Sequence, residues 1–216
     1  DNPVYLPRGG HVVVTNGLGL GLAGINPGSV DPPGGAFVRD PSGRLTGMLL
    51  ESPAFTRVTC LLPQPEEQDR RRAVRAGIRA FNRAGITAVR DPGLGAAEVR
   101  SYQAVVPEER SLRVSLMWAV DLGTTPEERR AWIDGLAPIS GFGDQWLSIW
   151  GLKLVIDGGV EGGYFRDDYA NNPGFRGHPL TSQENLEAIL EQAHQLGWRA
   201  GVHVVGDAAM EMALAA

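Results

Sequence analysis

The sequence predicts an α/β fold in which four βα units, half of a TIM-like (β/α)8 barrel, follow a β-rich segment of about 65 residues. Three observations lead there. From about residue 66 onward, amphipathic helical stretches alternate with short, nearly all-apolar runs, the pattern of parallel strands covered by helices. Those runs begin near residues 86, 112, 149 and 199, and a complete barrel takes roughly 250 residues, so four units make half of one. Before residue 65, Pro, Gly and Asp clusters separate short apolar runs instead. No GxGxxG follows any of the four strands, so a doubly wound nucleotide-binding sheet, the competing arrangement, lacks its phosphate-binding turn.

Taken in order, "HVVVTN" is a short strand, and its Asn16 is a good cap for a helix over "GLGLGLAG". "AFVRD" and "TGMLLE" flank the turn "PSGR" as a hairpin. "PEEQDRRRAVRAGIRAFNRAG" places Val74, Ile78 and Phe81 at helical spacing, stops at Gly85 and leads into the strand "ITAVRD". A second helix over about 95 to 106, with Val99, Tyr102 and Val106 on one face, precedes the strand "LRVSLMWAV". Thr125 to Glu128 reads as a capping box with Pro126 at the first helical position, and Trp132, Ile133 and Leu136 as that helix's apolar stripe. "LSIWGLKLVID" is the third strand of the series. After a long loop comes a helix starting at Thr181 or Ser182, with Leu186, Ile189, Leu190 and Ala193 on one face and Gly197 at its end. "RAGVHVVGD" is the last strand, and Asp207 is placed to cap the helix "GDAAMEMALAA".

The bulk properties narrow the function classes. With 43% apolar and 21% charged residues the chain has the composition of a soluble globular protein. Its 20 Lys and Arg are outnumbered by 25 Asp and Glu and form no isolated basic block, which argues against nucleic acid as a partner. No apolar run approaches the roughly 18 residues of a membrane span, and the N-terminus lacks the pattern of a signal peptide. The single cysteine, Cys60, makes no internal disulfide, which is compatible with a cytoplasmic protein. The last segment is a helix without a stop signal, and an open half-barrel exposes strand edges, so the chain is expected to be a fragment. A homo-oligomer is left open.

The stretch "GLKLVIDGGVEGG" carries the main candidate. Alternation puts Leu152, Leu154 and Ile156 on one strand face and Lys153, Val155 and Asp157 on the other. With the apolar triplet under the helices, Lys153 and Asp157 point to the inside of a barrel, where a substrate would reach Asp157. A lysine there either loses its charge through desolvation or finds a carboxylate, and an ion pair with Asp157 is the ordinary alternative to a functional role. His203 lies near the C-terminal end of the next strand, the end that supplies catalytic groups in such folds. A hydrogen-bonded core histidine is its plain alternative. His11 and Asn16 read equally well as a turn residue and a helix cap or as substrate contacts. Asp91 fits a turn or a supporting position at the same mouth, and His178 and His194 read as loop and helix-surface residues. No serine nucleophile elbow, CxxC pair, phosphate loop or HExxH motif is present.

Five stretches in order, "PVYLPRGGHVVVTNGLGLGLAGI", "DPPGGAFVRDPSGRLTGMLLE", "GITAVRDPG", "GLKLVIDGGVEGG" with "DDYANNPGFRG", and "VHVVGDAAM", resemble the metal-dependent amidohydrolases of the YtcJ-like (amidohydrolase 3) group, which includes N-substituted formamide deformylases. The resemblance covers nearly the whole chain. It implies a distorted (β/α)8 barrel joined to a small β-sandwich, with residues 1 to 65 as an insertion after the first barrel strand and 66 to 216 as barrel strands two to five. It implies that Lys153 is the strand-four lysine, carboxylated and bridging two metal ions, and His203 the strand-five histidine ligand. His11 and Asn16 would border the pocket of a small amide-like substrate. The implied cofactor is a divalent metal, Zn2+ first, and the implied reaction is hydrolysis of a non-peptide C–N bond by metal-activated water. The family's strand-one HxH pair, strand-six histidine and strand-eight aspartate have no counterpart here, so the isolated chain is expected to be inactive and to bind metal poorly. The two alternatives are a non-catalytic small-molecule-binding barrel and a Schiff-base lysine enzyme acting through Lys153.

Overall fold

A computed structural model describes residues 2–122, 125–136 and 140–216. The chain divides into two compact units, one made of Asp1–Pro63, Val155–Ser182 and Val204–Ala216 and the other of Gln64–Leu154 and Gln183–His203.

In the first unit four short strands, β1 (Tyr5–Arg8), β2 (Val12–Thr15), β3 (Ala36–Arg39) and β4 (Leu45–Leu50), form a sheet in the order β1-β2-β4-β3. All its pairings are antiparallel. The expected hairpin is the β3–β4 pair. Val13, Phe37 and Leu49 pack with Leu20 of helix α1 (Gly17–Leu22) and with Ala54 and Val58 of helix α2 (Ser52–Thr59) in one apolar core. Asn16 caps α1 as expected, accepting the Gly19 N–H at 3.0 Å. The same oxygen accepts the Val4 N–H at 3.2 Å, and the Asn16 amide nitrogen donates to the Asn2 carbonyl at 2.9 Å, so one side chain also anchors the segment before β1.

Gly47 holds the sheet at its tightest point. Its φ is +88°, and a β-carbon there would lie 2.0 Å from the Thr15 carbonyl oxygen on β2. Gly43, in the hairpin turn, has a similar φ of +85° but open space around it. Gly43→Ala is therefore expected to cost only the backbone term, about 1–3 kcal/mol. Gly47→Ala should cost more, because β2 must also move. A larger drop in melting temperature for Gly47→Ala than for Gly43→Ala checks this.

In the second unit β5 (Ala88–Leu94), β6 (Arg113–Ala119), β7 (Leu147–Val155) and β8 (Ala200–His203) form a sheet in that order. β5 pairs with β6, and β6 with β7, in parallel. Helix α3 (Glu67–Arg83) leads into β5, and α4 (Ala96–Glu109), α5 (Pro126–Gly135) and α6 (Gln183–Gln195) provide the three connections. The Thr125 box is in place: its hydroxyl accepts the Glu128 N–H at 3.2 Å, and the Glu128 carboxylate accepts the Thr125 N–H at 3.0 Å. That hydrogen bond holds the Glu128 carboxyl below its ordinary range. Helix α4 continues beyond the expected end at 106 and includes Pro107.

The helical face of this sheet is marked by Asp91 on β5, which accepts the Tyr102 hydroxyl of α4 at 2.5 Å. Burial, with the Asp91 bond second, pushes the Tyr102 phenol above its ordinary range. Leu116, Leu152 and Leu154 are almost or wholly inaccessible, as are Val106 of α4, Ile133 of α5 and Leu186 of α6. Helix α7 (Asp207–Ala215) belongs to the first unit. Its N-cap is Gly206, not Asp207. Asp207 is the first helical residue and accepts the Arg166 N–H at 2.9 Å, the main cause of its lowered pKa.

Candidate metal centre

Lys153 lies near the end of β7 between Leu152 and Leu154, both 0% exposed, and is itself half-buried. The predicted alternation is present. Its backbone carbonyl accepts the Val120 N–H at 2.9 Å, which ties the strand to the exit of β6. Burial alone lowers the Lys153 pKa from its ordinary value. No carboxylate contributes to that shift, so on the lysine's side the ion-pair alternative finds no support.

On the face away from the helices, a register shift between Leu116 and Met117 leaves Trp150 as an extra residue in β7. Arg90 of β5, the strand neighbour of Asp91 and so pointing to the opposite face, lies over the Trp150 ring at 3.8 Å from its centroid. A β-carbon on Gly201 of β8 would meet the Met117 terminal methyl at 2.5 Å and the Trp150 ring at 3.6 Å. Gly201 therefore looks to this same face, and His203, two residues on, shares it. Backbone contact between β7 and β8 is close: Leu152 N–H donates to the Arg199 carbonyl at 2.8 Å. A side chain at Gly151 would come within 2.2 Å of that same oxygen. Lys153 and His203 thus project from adjacent strands to one face of one sheet, each half-buried.

Asp157 sits past the end of β7, in the first unit, and is 0% exposed. Its carboxylate accepts backbone N–H groups from Tyr164 at 3.0 Å, Val205 at 3.0 Å and Gly206 at 2.8 Å. It therefore closes the loop after β7 and supplies the acceptor at the start of α7 that sequence reading placed on Asp207.

In the first unit His11 Nδ1 lies 2.8 Å from Oε2 of Glu51, and Oε1 of Glu51 accepts the Gly159 N–H at 3.0 Å. Glu51 is 2% exposed and has a φ of +63°. His178 stacks edge-on against Phe175 with ring centroids 5.0 Å apart. Its Nε2 is buried with no hydrogen-bond partner among the described residues, and burial lowers its pKa against the opposing pull of Glu51. Sequence reading gave neither Glu51 nor His178 a role. The available signal was the glycine spacing of "GGVEGG", which marks backbone packed against something bulky.

A lysine that burial alone drives toward its neutral form, beside a strand-end histidine, is a fitting pair of donors for a divalent ion. Among the described residues no group of three His, Cys, Asp or Glu side chains could hold one. The model of the amidohydrolase family matches residues 1–216. The chain belongs to the amidohydrolase family. This amidohydrolase chain is 30% identical over 224 residues to the Arabidopsis thaliana protein LONG AFTER FAR-RED 3, covering 99% of the chain and 38% of that protein. It is 26% identical over 217 residues to the Bacillus subtilis (strain 168) protein "Putative amidohydrolase YtcJ", covering 99% of the chain and 40% of that protein. Its fold is that of an uncharacterized metal-dependent hydrolase from Pyrococcus furiosus, with a TM-score of 0.68 at 21% identity over 100% of the chain and 43% of that protein. The amidohydrolase chain thus spans about two-fifths of the length of the relatives it matches. No helix among its described residues is long and apolar enough to cross a membrane.

Proposed function

We propose that this chain supplies Lys153 and His203 to the metal centre of a hydrolase that cleaves a non-peptide C–N bond in a small amide-like substrate. In this reading residues 66–216 are strands two to five of a (β/α)8 barrel and residues 1–65 an insertion after its first strand. The observation that carries it is Lys153: a half-buried strand lysine whose pKa falls through burial alone.

The residue chemistry follows from that. A neutral Lys153 amine has a lone pair that adds to carbon dioxide: the N–C bond forms, one proton leaves, and the product carbamate is an oxygen donor. A neutral imidazole at His203 is a nitrogen donor suited to zinc. Two donors are fewer than the three protein ligands usual at a catalytic zinc, so the rest of the set belongs to other parts of the full-length protein. A divalent ion, Zn2+ first, supplies Lewis acidity toward the amide carbonyl and acidifies water.

The test is the metal content of the full-length protein, purified as wild type, Lys153→Met, His203→Ala and the double variant. Stoichiometric metal in the wild type and its loss in the double variant is the expected result. Full occupancy in the double variant sinks the reading.

The same lowered pKa suits a second chemistry, attack of a neutral Lys153 on a carbonyl to form a Schiff base. Borohydride trapping of a carbonyl compound on Lys153 would favour it.

A further inference from the structure

The first unit contains a second built polar site, around Glu51, that the reading above does not use. Glu51 joins the end of β4 to the start of α2 with φ +63° and ψ 160°, a backbone region that costs a residue other than glycine on the order of 1–3 kcal/mol. The strain is held by two hydrogen bonds to a single partner. The Glu51 N–H donates to the His11 carbonyl at 2.8 Å, and the Glu51 carboxylate meets His11 Nδ1 at 2.8 Å. The other carboxylate oxygen accepts the Gly159 N–H. The glycine-rich turn that follows Lys153's strand closes over this pair with no room to spare. A β-carbon at Gly158 or Gly162 would reach Glu51 Oε1 at 2.2 or 2.9 Å, and one at Gly159 would reach the His11 ring at 2.7 Å.

We propose that Glu51 is a positioning residue that fixes His11 in the tautomer protonated at Nδ1, so that Nε2 meets whatever it touches as an acceptor. An ionised carboxylate only accepts, so an imidazole nitrogen 2.8 Å from it must donate. The other carboxylate oxygen already accepts the Gly159 N–H, and the N-terminus of α2 adjoins it. A neutral ring protonated at Nδ1 keeps its lone pair on Nε2, the arrangement in which carboxylate–histidine pairs present the second nitrogen to a partner. A ligand at Nε2 must then bring an N–H or O–H donor or a cation. The assignment stands on the first unit's own geometry. That the ligand is an amide N–H rests on the proposed hydrolase reading.

Histidine ring 15N shifts of the full-length protein, labelled at histidine and held above the ordinary histidine pKa range, read the tautomer directly. His11→Gln assigns the signal. The expected wild-type result is a protonated Nδ1 and an unprotonated Nε2. Glu51→Gln offers one carbonyl oxygen to two donors, and the Gly159 N–H cannot reverse. The His11 ring must reverse instead, and its proton moves to Nε2. A wild-type ring protonated at Nε2, or a ring unchanged in Glu51→Gln, overturns the proposal. The wild-type measurement decides it even if the variant misfolds, and it does so whether or not the protein proves to bind metal.

Discussion

Asp157→Ala is expected to speed hydrogen exchange at the Tyr164, Val205 and Gly206 amides by about two to three orders of magnitude. One fully buried carboxylate accepts all three N–H groups. Its loss leaves all three without that acceptor, Gly206 where it is buried and Tyr164 and Val205 where they are part-buried, at up to about 1–3 kcal/mol for each buried donor left unpaired. Asp157→Asn should cost less, since the amide oxygen keeps at least one acceptor, though its NH2 group then faces a peptide N–H. The amides of β2 in the same unit share no partner with Asp157 and serve as the control. Equal acceleration there would mean general unfolding, and unchanged exchange at the three amides would remove Asp157 from the role described. Because Val205 and Gly206 lie two and three residues past His203, and Asp157 follows Lys153 by four residues, the same carboxylate steadies the chain just beyond both candidate ligands.

The elements that sequence reading recovered are those whose signals are local. The helix ends at Gly85 and Gly197, the Thr125 box, the Asn16 cap and the β3–β4 hairpin each depend on residues a few positions apart, so spacing alone identifies them. The half-buried placement of Lys153 was legible for the same reason, as strand alternation needs only its neighbours. What escaped depends on distant partners. β1 carries Pro7 and is largely exposed, an edge strand with no apolar period. Helix α2 opens on Ser52 and Pro53, which read as a turn, and its N-cap Glu51 makes no side-chain cap of its own because that carboxylate is committed to Gly159, 108 residues away. Asp207 looked like a cap through its position before an apolar helix. The acceptor comes instead from Asp157, 49 residues upstream of Gly206, and no local pattern announces such a pairing. The candidate ligands were visible one by one, whereas the scaffolding that holds the loops beyond them was not.

Lys153→Met is expected to leave the metal-free full-length protein more stable while lowering metal-dependent hydrolysis by more than about 100-fold, the upper end of what loss of a mere supporting partner costs a metal site. The stability half follows from the direction of the pKa shift. Burial holds the folded-state value below the unfolded value of roughly 10.4. Between those two values the unfolded chain binds the proton more readily, so stability rises with pH across that window. Below the folded value the ammonium is buried at full cost. Methionine fills the same space without charge, so the pH-dependent rise should vanish and stability on the low-pH side of that window should increase by about 0.5–2 kcal/mol, the usual gain from a single stabilising substitution. Denaturation of chelator-treated wild type and variant at several pH values between 7 and 11 measures both effects. A variant less stable than wild type would make Lys153 a structural partner and leave its desolvated position without a functional reason. A more stable but inactive variant is the outcome of a lysine kept against the fold's own preference, for the chemistry of its neutral amine.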